Sequence, residues 1–223
     1  MQRKLIITSD GSHSIFIPEM NENYHSVHGA VQESKHVFID AGLKYIAEKK
    51  KSISILEIGL GTGLNALLTF MEAQKLSLQI DYTAIEAFPL GPEITAELNY
   101  VKMLDAPKYE TLFSEGIHGS GWEKESEIAS IHKLTKIKNT LQEIILPDDR
   151  FDLVYFDAFG PPVQPEMWTE ELFAKIFKAM KANAALVTYC AKGEVKRTLK
   201  RVGFTIEELK GPPGKREMIR AVK

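Results

Sequence analysis

One cysteine in 223 residues, Cys190, leaves no partner for an internal disulfide and too few thiolates for a zinc ribbon or an iron–sulfur cluster. The reducing cytoplasm is therefore the expected compartment. No apolar run approaches the roughly 18 residues that span a bilayer, and behind Arg3 and Lys4 the apolar stretch of Leu5, Ile6 and Ile7 is too short for a signal peptide. The chain is thus expected to stay where it is made, away from membranes. His25 and His28 are too few for a metal site without a third ligand, and no metal is expected. There is no low-complexity tract, no internal repeat and no linker long enough to divide the chain. With hydrophobic residues at 44% and charged residues at 26%, enough apolar surface is available to offset the entropy of folding, which excludes disorder.

The formal net charge is only −2, but it is unevenly placed. Residues 192–223 carry ten Lys/Arg and four Glu, whereas residues 1–191 carry 18 Lys/Arg and 26 Asp/Glu. A basic end can contact phosphates, because local potential matters more than the sum. It can equally be a solvated helix face.

Two β-rich runs around Asp10-Gly11 predict an N-terminal hairpin, and a helical pattern runs from about Glu33 to Lys50. From Ile53 onward strands and helices alternate. Strands are expected at 53–58, 80–86, 131–137, 151–157, 184–189, 204–208 and 217–222. Helices are expected at 64–75, 92–102, 140–146, 165–181 and 194–202, and residues 106–124 read as a loop-rich insertion. This alternation predicts an α/β fold, a mostly parallel seven-stranded sheet with an antiparallel C-terminal strand. One domain over residues 1–223 is expected: a hairpin and helix in residues 1–50, packed on a Rossmann-like core in residues 51–223.

Glu57-Ile58-Gly59-Leu60-Gly61-Thr62-Gly63 stands where the first core strand turns into a helix. Glycines there let a ligand approach the backbone, although they can also serve tight strand–helix packing. Leu64 and Asn65 follow Gly63, so no lysine is present to hold β- and γ-phosphates, and nucleoside triphosphate hydrolysis is excluded. A nicotinamide site prefers G-x-G-x-x-G around a pyrophosphate. Here the spacing is G-x-G-x-G, and Glu57 would repel a pyrophosphate yet attract the ammonium of a methionine moiety. The loop favours S-adenosylmethionine. Glu86, at the end of the next strand, is placed to accept ribose hydroxyls. Asn139 is a candidate for the exocyclic amine of adenine, and equally a candidate helix N-cap.

The strand Phe151–Asp157 ends in a carboxylate, followed by a proline-rich loop through Phe159 to Trp168. Ligands of open α/β sheets bind beyond the carboxyl ends of strands, so Asp157 is expected to face cofactor and acceptor. For an amine acceptor it can orient an N–H and help remove the proton; otherwise it braces the loop. The stiff loop can position Phe159 or Trp168 against a base, while Met167, Leu172, Phe173, Ile176 and Phe177 give Trp168 an apolar helix face to pack on. Cys190 reads as a small core residue.

Several segments together resemble one family: Tyr24-His25-Ser26, Gly29-Ala30, Glu33-Ser34 with His36-Val37-Phe38, the Glu57–Gly63 loop, Phe156-Asp157-Ala158-Phe159 with Pro165–Trp168, and Gly214–Met218. That family is the methyltransferase half of the bifunctional tRNA 5-methylaminomethyl-2-thiouridine biosynthesis protein, which also occurs as a stand-alone enzyme. The resemblance covers most of the chain. It implies a class I S-adenosylmethionine-dependent methyltransferase fold and methylation of the aminomethyl group on a wobble uridine of tRNA, met through the anticodon region. By resemblance Asp157 holds the acceptor amine, Phe159 and Tyr24 line the base pocket, and Glu33 and Ser34 close over the cofactor side. Lys215, Arg216 and Glu217 close over the site from the other end. The flavin-dependent domain of the bifunctional members has no room in 223 residues, so no flavin is expected. The sequence departs from the family at Lys138-Asn139-Thr140, Gly160 and Pro162. Lys192, Lys196, Arg197, Lys200 and Arg201 gather on one expected helix, where phosphate contacts position an RNA without reading its sequence. An unstacked anticodon base would then enter the pocket. The rival readings are a methyltransferase or aminopropyl transferase acting on a small amine, and a nicotinamide-binding oxidoreductase.

Overall fold

Two antiparallel strands, β1 (Lys4–Ile7) and β2 (His13–Ile17), with a two-residue β3 (Glu22–Asn23), form a ribbon apart from the main sheet. The computed structural model describes residues 2–129 and 131–223. Helix α1 (Ala30–Ser34) runs on through a π-helical stretch, Lys35–Leu43, into α2 (Lys44–Ala47). Then β4 (Ser52–Ile58), α3 (Leu64–Leu76) and β5 (Gln79–Ile85) begin the α/β alternation. The one-turn helices α4 (Pro92–Thr95) and α5 (Tyr100–Met103) come next, and the insertion at 106–124 holds a π-helical segment, Leu112–His118. Strands β6 (Glu125–Ala129), β7 (His132–Ile137) and β8 (Phe151–Phe156) follow. The chain ends with α6 (Glu170–Ala179), β9 (Met180–Thr188), α7 (Gly193–Val202), β10 (Thr205–Lys210) and β11 (Glu217–Val222).

The main sheet has eight strands in the order β10-β11-β9-β8-β4-β5-β7-β6. Strands β7, β5, β4, β8 and β9 are mutually parallel, and β11 is antiparallel to both neighbours. All seven expected core strands are present. The eighth, β6, pairs antiparallel with β7 and lies where the sequence carries little apolar signal, Glu-Ser-Glu-Ile-Ala, because an edge strand needs only one half-buried face. The antiparallel C-terminal strand β11 is inserted between β9 and β10.

Central β8 is buried along its whole length, since helices cover both faces of the sheet. Its alternate residues serve two cores. Leu153 and Tyr155 pack with Phe38, Leu67 and Phe70 on one side, whereas Val154 and Phe156 pack with Leu172, Phe173 and Leu199 on the other. The π-helical stretch approaches β8 and β9 closely. A Cβ on Gly42 would lie 3.0 Å from Val187 Cγ2 and 3.2 Å from Tyr155 Cε1, so any side chain there would force these neighbours to shift.

Local helix signals yield to tertiary bonding at three places. The expected helix over 92–102 breaks because Asn99 is taken by the ribbon: its Oδ1 accepts from His13 N–H (2.8 Å) and its Nδ2 donates to the Gly11 carbonyl (2.9 Å). The expected helix at 140–146 is a turn, with Lys175 Nζ donating to the carbonyls of Leu141 (2.8 Å) and Gln142 (2.9 Å). Thr169 starts α6 as its N-cap, accepting from Leu172 N–H, which confines residues 165–168 to a separate 3-10 turn.

The Asp10-Gly11 turn spans five residues rather than two, because its side chains cap a helix remote in sequence. Asp10 Oδ2 accepts from Gln32 N–H (3.1 Å), and Ser12 Oγ accepts from Ala30 N–H (3.2 Å) and Val31 N–H (3.3 Å). These are first-turn donors with no partner inside the helix. Asp10→Ala is expected to lower stability by about 1–2 kcal/mol, the scale of a lost N-cap. A urea midpoint equal to that of the parent would show that the cap contributes nothing.

Candidate active site

The carboxyl ends of β4, β5 and β8 open into a cavity of about 840 Å³. Backbone bonds continue the sheet ladder past the strand ends: Gly59 N–H donates to Ile85 O (2.9 Å) and Asp157 N–H to Ile58 O (3.1 Å). The glycine loop and the β8 acid are thereby anchored to the same rigid layer.

Gly59, Gly61 and Gly63 all have positive φ (89°, 50° and 72°). Gly59 and Gly61 line the cavity, whereas Gly63 caps α3 and packs against Ile117 and His118 away from it. Glu86 is held by two backbone donors, Gly61 N–H to Oε2 (2.9 Å) and Phe88 N–H to Oε1 (2.8 Å). It lines the cavity with its remaining lone pairs free for further donors.

Asp157 stands on the cavity wall, and its Oδ2 accepts from Asn65 Nδ2 (2.9 Å). Burial pushes its carboxyl up to about 7; the Asn65 bond opposes the shift, Glu33 adds to it and Lys215 reduces it. Glu33 sits in α1 with an ion pair to Lys215 and accepts Ser26 N–H at Oε2 (2.7 Å). The Lys215 ammonium lies 3.9 Å from the centroid of the Tyr189 ring, whose hydroxyl donates to the Ala158 carbonyl (2.8 Å). The N-terminal and C-terminal parts of the chain therefore meet over the cavity. Tyr24 and Phe159 face one another edge to face at 5.5 Å, and both line it. Ser34 lines it too, its Oγ buried without a hydrogen-bond partner among the described residues.

Besides Gly63, three expected site residues lie elsewhere. Glu57 is fully buried below the wall, behind Asn65, and does not line the cavity. Arg216 is almost wholly exposed and paired with Glu217 (2.6 Å), which is also paired with Lys196 of α7 (2.9 Å). Neither reaches the cavity, because β11 begins at Glu217 and its pairing with β10 sets that side chain toward α7. Asn139 does line the cavity, but no helix follows it; its Oδ1 accepts Thr140 N–H (2.8 Å). Trp168 is in the core against Phe156 and Phe173, and its indole N–H donates to the Phe159 carbonyl (2.8 Å), bracing the loop from behind.

Residues 123–223 match the model of a family described as S-adenosyl-L-methionine-dependent methyltransferase. Over 92% of its length the chain is 28% identical to the tRNA 5-methylaminomethyl-2-thiouridine biosynthesis bifunctional protein MnmC of Nitrosospira multiformis, covering 34% of that protein. The protein of the same name from Magnetococcus marinus is 29% identical over 93% of the chain, covering 32% of its own length. The chain spans about a third of the length of these curated relatives. Among solved structures, MNMC2 from Aquifex aeolicus superposes with a TM-score of 0.79 at 22% identity, covering 99% of this chain and 69% of that one. The chain resembles MnmC, and its residues 123–223 match the methyltransferase model. Its fold is the class I Rossmann-like one, and its cofactor is S-adenosylmethionine, which sets aside the nicotinamide reading.

The cavity of this methyltransferase fits that cofactor. A Cβ on Gly61 would come within 3.3 Å of the Tyr24 ring, a tight contact at a backbone conformation (φ 50°) that disfavours a side chain. Ser34 Oγ, buried on the cavity wall with no partner among the described residues, is a polar atom that a ligand group can satisfy. Among the described residues no group of three or more His, Cys, Asp or Glu could hold a metal ion. Among the described residues no helix is long and apolar enough to cross a membrane.

The basic end is largely paired. Lys196 meets Glu208 and Glu217, Arg201 meets Glu170, Arg220 meets Glu207, and Lys223 meets Asp149. Lys192, Arg197, Lys200 and Lys210 have no carboxylate within salt-bridge distance among the described residues.

Sequence reasoning missed Asn65, Tyr189 and His25. Asn65 had a signal, a polar residue in an otherwise apolar helix start directly after the glycine loop. His25 lines the cavity, and burial lowers its imidazole to about 4, so it is neutral near pH 7; its Nδ1 lies 3.0 Å from Ser14 Oγ. Nothing in the periodicity of residues 19–32 marks it.

Proposed function

We propose that this methyltransferase transfers a methyl group to the primary amine of 5-aminomethyluridine, or its 2-thio form, at the wobble position of tRNA, giving the 5-methylaminomethyl nucleoside. The observation that carries the reading is Asp157: a carboxylate on the wall of a nucleoside-sized cavity, held near neutrality and flanked by the aromatic pair Tyr24 and Phe159. The names of the relatives supply the substrate class.

S-adenosylmethionine, when bound, supplies a methyl group activated by its sulfonium. Glu86 would take the ribose hydroxyls, the backbone at Gly59 and Gly61 the amino-acid moiety, and the wall from Phe88 to Asn139 the adenine. Ionised Asp157 accepts an N–H of the neutral acceptor amine and so turns its lone pair toward the methyl carbon, stabilises the ammonium that forms as the N–C bond is made and the S–C bond breaks, and then takes up the ammonium proton, with S-adenosylhomocysteine as the leaving group. Tyr24 and Phe159 form an aromatic wall on which an unstacked base packs, the usual route for enzymes that modify nucleobases. Glu33 and Lys215 close the mouth. Lys192, Arg197 and Lys200, the cations left without carboxylate partners on and beside α7, contact tRNA phosphates.

The test is mass spectrometry of nucleosides from tRNA bearing 5-aminomethyluridine after incubation with the protein and S-adenosylmethionine. Appearance of the methylaminomethyl nucleoside is expected. Cofactor binding without methylated nucleoside would refute the substrate and move the search to small amines, a reading favoured by the pairing of most basic side chains near the C-terminus. Salt separates the two, because tRNA turnover at subsaturating substrate falls steeply with ionic strength and small-amine turnover does not.

A further inference from the structure

Among the described residues Asn65 is the one side chain that joins the two buried acids at the strand ends. Its Nδ2 donates to Glu57 Oε1 (3.0 Å) and to Asp157 Oδ2 (2.9 Å), which uses both amide hydrogens. Turning the amide over would face its oxygen to two carboxyl groups and require a proton on each. Asn65 sits in the first turn of α3, is 4% exposed, and lines the cavity, whereas Glu57 is completely buried behind it. The three side chains thus form a line from the interior to the cavity wall, with Asp157 Oδ1 left free for a ligand.

We propose that Asn65 is a positioning residue for methyl transfer, setting the carboxylate of Asp157 toward the acceptor amine, and that Glu57 serves the site only by orienting the Asn65 amide. The proposal rests on the role given to Asp157 above and assigns Glu57 a place behind the site instead of a contact to the cofactor. Two physical features support it. An Asn with one amide hydrogen on each acid fixes the rotamer of both, and it does so on the rigid start of a helix, where misplacement of a reacting group is smallest. Burial also holds the Glu57 carboxyl well above its ordinary range, so near pH 7 the line carries at most one negative charge, and that charge belongs to Asp157. The charged and titratable groups around the line are Glu33 and Lys215 on the Asp157 side, with Tyr189 at the end of β9, and Tyr82, Tyr155 and Glu86 on the Glu57 side.

The direct experiment is a pH titration of the Asp157 side-chain carbon by NMR in the parent, Asn65→Leu and Glu57→Gln proteins. Asn65→Leu keeps the volume and removes the bond to the ionised carboxylate. Its Asp157 should titrate about one unit higher, and kcat/KM at pH 6.5 should fall about eightfold, with the deficit shrinking toward pH 9. Glu57→Gln keeps an oxygen for the Asn65 amide. It should leave the Asp157 titration, cofactor affinity and turnover within about twofold of the parent. An unchanged Asp157 titration in Asn65→Leu overturns the proposal, as does a cofactor affinity lowered more than tenfold in Glu57→Gln, which would put the Glu57 charge on the cofactor. Should Asn65→Leu fail to fold by circular dichroism, Asn65→Ala is titrated in its place with the same criterion. Because the titration needs no substrate, failure to methylate tRNA would refute the proposed function without deciding the role of Asn65.

Discussion

Asp157→Ala lowers turnover about 10²–10⁴-fold, the range for loss of a positioned general base, while S-adenosylmethionine affinity stays within a few-fold. The separation follows from the site. Glu86 and the glycine loop, where the nucleoside is expected, are held by backbone bonds that do not involve the Asp157 side chain. Isothermal titration of the cofactor beside single-turnover assays checks both halves, and unchanged turnover would remove Asp157 from the mechanism. The parent protein should also show kcat/KM rising with pH through about 7, since the carboxyl is pushed up to that value by burial and must ionise to take a proton. The stability consequence has the opposite sense. An unfolded Asp ionises near its ordinary value of 3.8 and the folded one near 7, so the folded state binds more protons in between. The fold therefore loses stability as pH rises through that window and keeps the penalty above it. Asp157→Asn, which cannot ionise, should accordingly melt at a higher temperature than the parent at pH 8 and show little difference at pH 4. An equal difference at both pH values would mean that the carboxyl is not strained by burial.

Trp168→Ala is expected to cost about 3–5 kcal/mol, the usual loss for deleting a large buried aromatic. The indole is buried between Phe156 of β8, at 4.9 Å between ring centroids, and Phe173 of α6, at 6.2 Å. Its N–H holds the carbonyl of Phe159, so the same side chain carries part of one core and fixes the loop that presents the aromatic wall of the site. Trp168→Phe separates these roles. It keeps most of the packing and removes the bond, which is worth about 1 kcal/mol in stability. KM for the acceptor should rise in that variant while cofactor affinity holds, because Phe159 loses its brace and Glu86 does not. Urea unfolding and acceptor kinetics on the two variants test the division. A KM unaffected by Trp168→Phe would leave the indole as core alone.

The legible part of the site is local. Gly59, Gly61 and Glu86 stand where a strand passes into a loop, and Asp157 ends a run of apolar residues, so strand period and flanking residues place them on one edge of the sheet. Glu57 belongs to the same motif, yet its position behind the wall depends on which face of β4 it occupies and on what α3 sets over that face. The helices over 92–102 and 140–146 are misread for a related reason. Their propensity is adequate, but Asn99 and the carbonyls of Leu141 and Gln142 gain more from the ribbon and from Lys175 than from continuing a helix.

What the sequence alone determined is the α/β alternation, seven of the eight strands of the main sheet, the glycine loop, and the acids at the ends of β5 and β8. Each of these is written in residues that are neighbours along the chain. The tertiary structure alone decided that β11 enters between β9 and β10, that Asn65 links Glu57 to Asp157, and that Glu33 meets Lys215, 182 residues away, over the cavity. Local periodicity records which face of an element is apolar. Which polar groups meet across the site depends on the packing of those faces and on the need of buried donors and acceptors for partners.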